Sequence, residues 1–400
     1  MKRSGSADLP LHYGHVPIWL AERMSKLGFA ITEAIIEAFG TAGFLQRMGD
    51  PFWFQSFGAV MGMDWHSSGI TTSVMGALKK AINPHAQDLG LYICGGKGKH
   101  SRNTPMELIK YGSLVGIDGE ALARSSKLSA KVDNTAVQDG FQLYLHSFVV
   151  DKAGQWTVVQ QGMRANSATA RRYHWHSAGL TSFVADPHSG IAGPNQGRII
   201  NMAAKASSPA QQAILSMSKE DPQRMLTEIR HLKMPDHHDV KAKDVDLKRL
   251  GAMLWLTHEK QPRDFESLLL LEGMGPRTLQ SLALVSEVIY GTASRFDDPA
   301  RFSFAHGGKD GHPFPVPIKV YDETVATLSR AIQQAKIGES DKIQAIRKLS
   351  ELSRMAEQGF TPNQNFNALI AKERRESWKY GGKTVFGDAK PPQDQQLKLF

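Results

Sequence analysis

Two apolar runs, "FQLYLHSFVV" and "QWTVVQQGM", flank the short segment "DKAG". Both are rich in β-branched and aromatic residues, and a Gly-containing turn of that length closes antiparallel strands. The spacing predicts a β-hairpin over residues 141–163. An isolated hairpin is barely stable in water, so other strands and helices must cover it. The stretch "WLAERMSKLGFAITEAIIEAFG" has the apolar periodicity of a covering helix. Residues 1–205 are therefore expected to form an α+β or α/β domain, the one with room for catalysis.

Further along, the pattern changes. A joint rich in Ser, Pro, Gln and Lys, "KASSPAQQAILSMSKEDPQ", leads into an all-α region over residues 222–300. Residues 301–360 read as a helical extension, and 361–400 as a basic, flexible, disordered tail. The chain has 400 residues, 48 Lys+Arg against 39 Asp+Glu and a net charge of +9, which suits a polyanionic partner. Its one cysteine, Cys94, excludes internal disulfides and a Cys-based zinc cage. The first residues lack the apolar segment of a secretory leader. A cytoplasmic, nucleoid-associated location with no membrane contact is expected.

Within the all-α region, "PRDFESLLLLEGMGPRTLQSLALVSEVIYG" places Gly273 and Gly275 between two apolar helices. Pro276 suits the first turn of the second helix. The N–H groups there, with Arg277 and Thr278 beside them, could hold a phosphate oxygen. The segment resembles the helix-hairpin-helix module, and the resemblance implies contact with DNA backbone without sequence readout. The last residues, "QLKLF", resemble the peptide by which bacterial replication and repair proteins dock on the DNA sliding clamp. Gln396, Leu397, Leu399 and Phe400 match that motif position for position.

The chemistry is expected in four polar stretches of the first domain. "FGAVMGMDWHSSGITTSV" carries Asp64 and His66, and "YICGGKGKHSRNTP" carries Lys97 and Lys99 in a Gly-rich loop without P-loop spacing. "SAKVDNTAVQDGFQLYLHSFVV" holds Lys131, Asp133, Asp139 and His146. "VVQQGMRANSATARRYHWHS" with "ADPHSGIAG" adds Gln161, Arg171, Arg172, Asp186 and His188. Phosphodiester cleavage needs an activated water and charge neutralisation, often with divalent ions on carboxylates and imidazoles. Asp64, His66, Asp139, His146, Asp186 and His188 have the ligand types for Mn2+ or Mg2+. Lys97, Lys99, Lys131, Asp133, Asp139, His146 and Gln161 are the candidate catalytic residues, and Arg171 and Arg172 candidate DNA contacts. "DWHSSGITTSV" and "HWHSAGLTSFV" agree at several positions, which raises a duplication with His66 and His176 equivalent.

These stretches, with "ADLPLHYGHVPIWLAERM" and "DPFWFQSFGAVMGMDWHSSG", resemble the prokaryotic family catalogued as domain of unknown function 763 over most of residues 7–300. The resemblance implies that they belong to one domain accompanied by a helix-hairpin-helix. The expected function is a metal-dependent DNA nuclease of repair or replication, docked on the clamp. A non-catalytic adaptor for DNA structures is the alternative, and an RNA-processing enzyme a weaker one. DNA, single-stranded or structured, and the clamp are the expected partners, with homodimer formation left open.

A peptide of residues 395–400 should bind a bacterial sliding clamp with micromolar affinity, about −8 kcal/mol. Each buried apolar anchor contributes about 1.5–3 kcal/mol, so replacing Leu399 and Phe400 together by Ala should nearly abolish binding. Titration calorimetry checks this, and equal affinity of the two peptides would refute it.

Overall fold

The computed structural model describes residues 9–10, 18–63, 69–164, 169–193, 195–231, 247–292, 297–300, 318–358, 383–384 and 387–388. It divides into two compact units, Met1–Arg354 and Met355–Phe400. In the first, the expected hairpin forms from β3 (Gln142–Asp151) and β4 (Trp156–Met163). Asp151 closes its turn: one carboxylate oxygen accepts from the N–H groups of Ala153 and Gln155, each at 2.9 Å.

The hairpin is the centre of a six-stranded sheet with order β1-β5-β4-β3-β2. Here β1 is Leu9–Pro10, β2 Leu91–Lys97 and β5 Thr169–His176; β6 (Gly190–Ala192) also pairs with β5. Every pairing is antiparallel, so this is an α+β fold and not a parallel α/β one. The central strands are buried on both faces, which explains why their sequence is nearly continuous in apolar residues instead of alternating.

Helices cover each face. Val149, Val159 and Ile93 pack against α1 (Ile18–Met48), α2 (Pro51–Val60) and α3 (Gly69–Ile82), whose Ile31, Phe54 and Val74 are fully buried. Gly40, at φ 70°, interrupts the helical backbone of α1. By length and composition α1 alone among the described helices could cross a bilayer, yet Met24, Leu27, Ile31 and Ile35 are buried in this core. Leu328 of α13 (Ile318–Gln334) and Leu349 of α14 (Glu339–Gln358) join the same cluster.

On the opposite face lie α6 (Thr104–Val115), α7 (Gly119–Lys131) and a π-helical turn, Val132–Ala136, continuous with α7. Beyond them come α8 (Ser208–Met217), α9 (Pro222–His231), α10 (Leu247–Lys260), α11 (Phe265–Leu269) and α12 (Pro276–Tyr290). Two short helices, α4 (Ala86–Leu89) and α5 (Lys99–Arg102), flank β2. Phe148, Val158 and Trp175 of the sheet share one core with Leu268 of α11 and Leu279 of α12. The helical region after residue 222 thus packs on the sheet in a common core. In the second unit, β7 (Lys383–Thr384) and β8 (Gly387–Asp388) pair antiparallel; the rest of the expected tail, clamp-like peptide included, lies outside the described residues. The suggested duplication has no counterpart in secondary structure, because Gly69–Val74 is helical whereas 179–184 is irregular.

The outer edge of β2 is sealed by side chains. The Asn83 amide accepts from Ile93 N–H and donates to Ile93 C=O, both at 2.9 Å. Two residues on, Glu107 accepts from Gly95 N–H and Lys79 donates to Gly95 C=O, both at 2.8 Å. Lys79 and Glu107 also pair with each other at 2.7 Å. Closing an edge this way blocks pairing with another strand.

Asn83→Ala should orphan both backbone groups of the fully buried Ile93, destabilising the protein by about 1–3 kcal/mol. Urea denaturation should show a lower midpoint at unchanged slope; an unchanged midpoint would mean the edge is solvated.

Candidate functional site

The π-turn after α7 holds a carboxylate bonded by three side-chain donors. Asp133 is fully buried. One of its oxygens accepts from Gln160 Nε2 at 2.5 Å and Trp175 Nε1 at 2.9 Å; the other accepts from His188 Nε2 at 2.5 Å. Gln160 extends the chain, because its Oε1 lies 2.7 Å from His146 Nδ1, and His146 Nε2 lies 2.8 Å from Ser126 Oγ. Only one proton arrangement satisfies every member. Ser126 donates to His146 Nε2, His146 Nδ1–H donates to Gln160, and the Gln160 amide donates to Asp133. Burial pushes the Asp133 carboxyl upward against the opposing pull of His188. Burial also lowers His146 to about 4, so its imidazole is neutral.

A second buried carboxylate lies beside the first. Asp139 accepts from Arg171 Nη1 at 2.8 Å, Tyr173 O–H at 2.7 Å and Phe141 N–H at 2.9 Å. Arg171 reaches both oxygens of Asp298, at 3.0 and 2.5 Å. Burial opposes the charge on this guanidinium, but the two carboxylates raise its pKa overall. Arg172 points to the other face of the sheet, donating from Nη1 to Gln55 Oε1 and from Nε to His174 Nε2, each at 2.8 Å. Burial lowers its pKa to about 9. Neither arginine has any exposed surface. The expectation that they contact DNA is therefore corrected: each pins a buried polar cluster.

The other candidates scatter. Gln161 faces the Arg172 side of the sheet and donates to the Tyr144 hydroxyl at 2.5 Å. Lys97 and Lys99 are exposed at the far end of β2, with Lys97 Nζ 5.9 Å from the Tyr144 ring centroid. Asp186 is exposed in a left-handed conformation, φ 54°, in the loop that carries His188. Asp64 and His66 lie outside the described residues. Among the described residues, no three His, Cys, Asp or Glu side chains converge on a metal-sized site. Asp139 and His146 do not fit as ligands, because internal partners already engage both oxygens of one and both nitrogens of the other.

Lys131 and Gln138, on either side of the π-turn, tie it to the glycine-rich connection between α11 and α12. Lys131 Nζ donates to Met274 C=O at 2.8 Å, and Gln138 Nε2 to Pro276 C=O at 2.9 Å. Lys131 thus holds backbone, and burial lowers its pKa. Gly273 needs its left-handed conformation, φ 80°, while Gly275 is extended and has open space around it. Arg277 is exposed, and Thr278 is buried at the start of α12. The first-turn N–H groups have no acceptor within the helix.

The chain matches the model of the family described as Protein of unknown function (DUF763) over residues 5–316. It belongs to that family. The matched span includes the sheet, the Asp133 and Asp139 clusters and the α11–α12 connection of this DUF763 domain. It stops before α13 and the clamp-like peptide. No curated protein and no solved structure matches the chain.

The sequence pointed to Gln160 only as one polar residue of the fourth stretch, with no site role, and did not single out Ser126, Tyr173, Trp175 or Asp298. Their spacing in the chain carries no signal. What unites them is their position on one face of the sheet or against it.

His146 makes stability depend on pH. Between about 6.5 and 4 the unfolded chain binds a proton at this imidazole and the folded chain does not, so stability rises with pH across that window. Lowering the pH from 6.5 to 4 should remove about 3 kcal/mol through this residue. His146→Gln should flatten that part of the stability profile in chemical denaturation; an unaltered slope would show that His146 titrates normally.

Proposed function

We propose that this protein binds DNA backbone through the connection between α11 and α12. One observation supports this above the others. Gly273 turns the chain so that the first-turn N–H groups of α12 stand beside the exposed Arg277, while Lys131 and Gln138 hold the underside to the π-turn. Backbone donors fixed in this way, with one mobile cation, suit a phosphodiester and read no bases. This is the behaviour expected of a helix-hairpin-helix.

The proposed activity is phosphodiester hydrolysis in repair or replication, with the basic tail bringing the protein to the sliding clamp and the nucleoid. In this reading His188 is the general base. Its Nε2–H is held by Asp133, and among the described residues its Nδ1 has no hydrogen-bond partner, leaving a lone pair for a water. Mn2+ or Mg2+ enters as a condition of the assay, since the described carboxylates form no shell for it. The competing reading, a non-catalytic adaptor for DNA structures, draws on the full engagement of Asp133 and Asp139 by internal donors.

The full-length protein should be incubated with labelled single-stranded, duplex and hairpin DNA in Mn2+, Mg2+ or EDTA. Binding should be independent of sequence. Arg277→Ala should weaken it on every DNA and reduce the salt slope by about 1. Gly273→Val should also weaken binding, because a β-branched residue resists positive φ. Cleavage that is lost in EDTA and in His188→Ala with binding retained supports the hydrolase. Binding without cleavage supports the adaptor, and no binding to any DNA removes both.

A further inference from the structure

The interruption of α1 at Gly40 opens a cleft of about 560 Å³ between this helix and the strand ends β4 and β5. Gln46, Arg47, Gln155 and His176 line it, with Phe39 at the rim. Arg47 lies 4.0 Å from the Phe39 ring centroid, and Arg330 of α13 lies 5.9 Å from the same centroid. Two guanidinium groups therefore share one aromatic ring. Arg47 donates to Gly43 C=O and Arg330 to Ala326 C=O; among the described residues neither forms a salt bridge. Burial and the repulsion of Arg330 both lower the Arg47 pKa, opposed by the charge of Glu323. Several other half-buried or buried cations in this unit face a carboxylate: Arg171 faces two, Lys79 faces Glu107 and Arg124 faces Glu266.

The cleft floor is also preset. Thr157 donates its hydroxyl proton to Leu45 C=O at 2.7 Å, so it can only accept from His176 Nδ1 at 3.0 Å. That places the His176 proton on Nδ1, so Nε2 of the neutral ring carries a lone pair and offers no donor; the donors that line the cleft are Arg47 and the Gln46 and Gln155 amides. A pair of like charges held around one ring, opening on a cleft of small-molecule size, is stabilised when an oxyanion occupies it.

We propose that this cleft binds a phosphate group, with Arg47 and Arg330 as its two cationic contacts. The site stands apart from the α11–α12 connection and does not rest on the DNA-binding reading. The phosphate comes either from a small compound, such as inorganic phosphate or a nucleotide, or from a nucleic-acid backbone.

The test is titration calorimetry of the full chain with inorganic phosphate, with a mononucleotide and with a single-stranded oligonucleotide lacking terminal phosphates. Each is repeated with Arg330→Gln, whose side chain is exposed and whose loss should leave the thermal unfolding temperature unchanged, and with Arg47→Gln. Binding of phosphate or mononucleotide that weakens about tenfold or more in both variants, with oligonucleotide affinity unchanged, establishes a small-phosphate site. A drop in oligonucleotide affinity in both variants, with a salt slope shallower by about 1, assigns the cleft to backbone phosphate. If none of the three ligands binds the native protein, or if both variants bind all of them as the native protein does, the proposal is wrong.

Discussion

A charge cannot be buried without donors, and Asp133 sets the terms for much of this fold. Its carboxylate has no exposed surface and accepts from β4, β5 and the His188 loop at once. An unpaired buried carboxylate would cost several kcal/mol, so these elements must arrive together. The helical register that aims Asp133 inward is the π-turn, a conformation rare enough to need a local cause. The three donors supply one. Because Lys131 and Gln138 flank that turn and grip the α11–α12 connection, the same constraint that completes the core also places the proposed DNA contact.

The polar interior explains where the chain's positive charge acts. Arg171 and Arg172 are adjacent on β5, so they project to opposite faces of a sheet buried on both sides. Each therefore needs its own internal partners, and neither contributes to the outer surface. Among the described residues, cations that stay at the surface include Arg277 at the start of α12, Lys97 and Lys99 at the end of β2, and Arg330 of α13. Net charge alone does not separate these two populations.

That separation marks what the sequence could and could not reveal. The β3–β4 hairpin was legible because its apolar runs and the Asp-Lys-Ala-Gly turn are local signals, and the α11–α12 connection was legible through its glycines and Pro276. Of the two glycines, only Gly273 proves to require its freedom; telling them apart takes φ, which no motif records. Arg171 and Arg172 read as surface cations because their partners are remote in the chain: Asp298 lies 127 residues beyond Arg171 and Gln55 117 residues before Arg172. The Ser126–His146–Gln160–Asp133 chain was invisible for the same reason. Its members lie on α7, the π-turn, β3 and β4, and only strand register brings His146 opposite Gln160.

The central claim is that the α11–α12 connection, held from beneath by the π-turn, is the surface that meets DNA. Amide hydrogen–deuterium exchange of the full-length protein, with and without a saturating short duplex, tests it most directly. The account predicts slowed exchange on DNA addition concentrated at residues 273–279, with Asp133 and its neighbours already protected in both states. Unchanged exchange at 273–279 together with new protection elsewhere would contradict it.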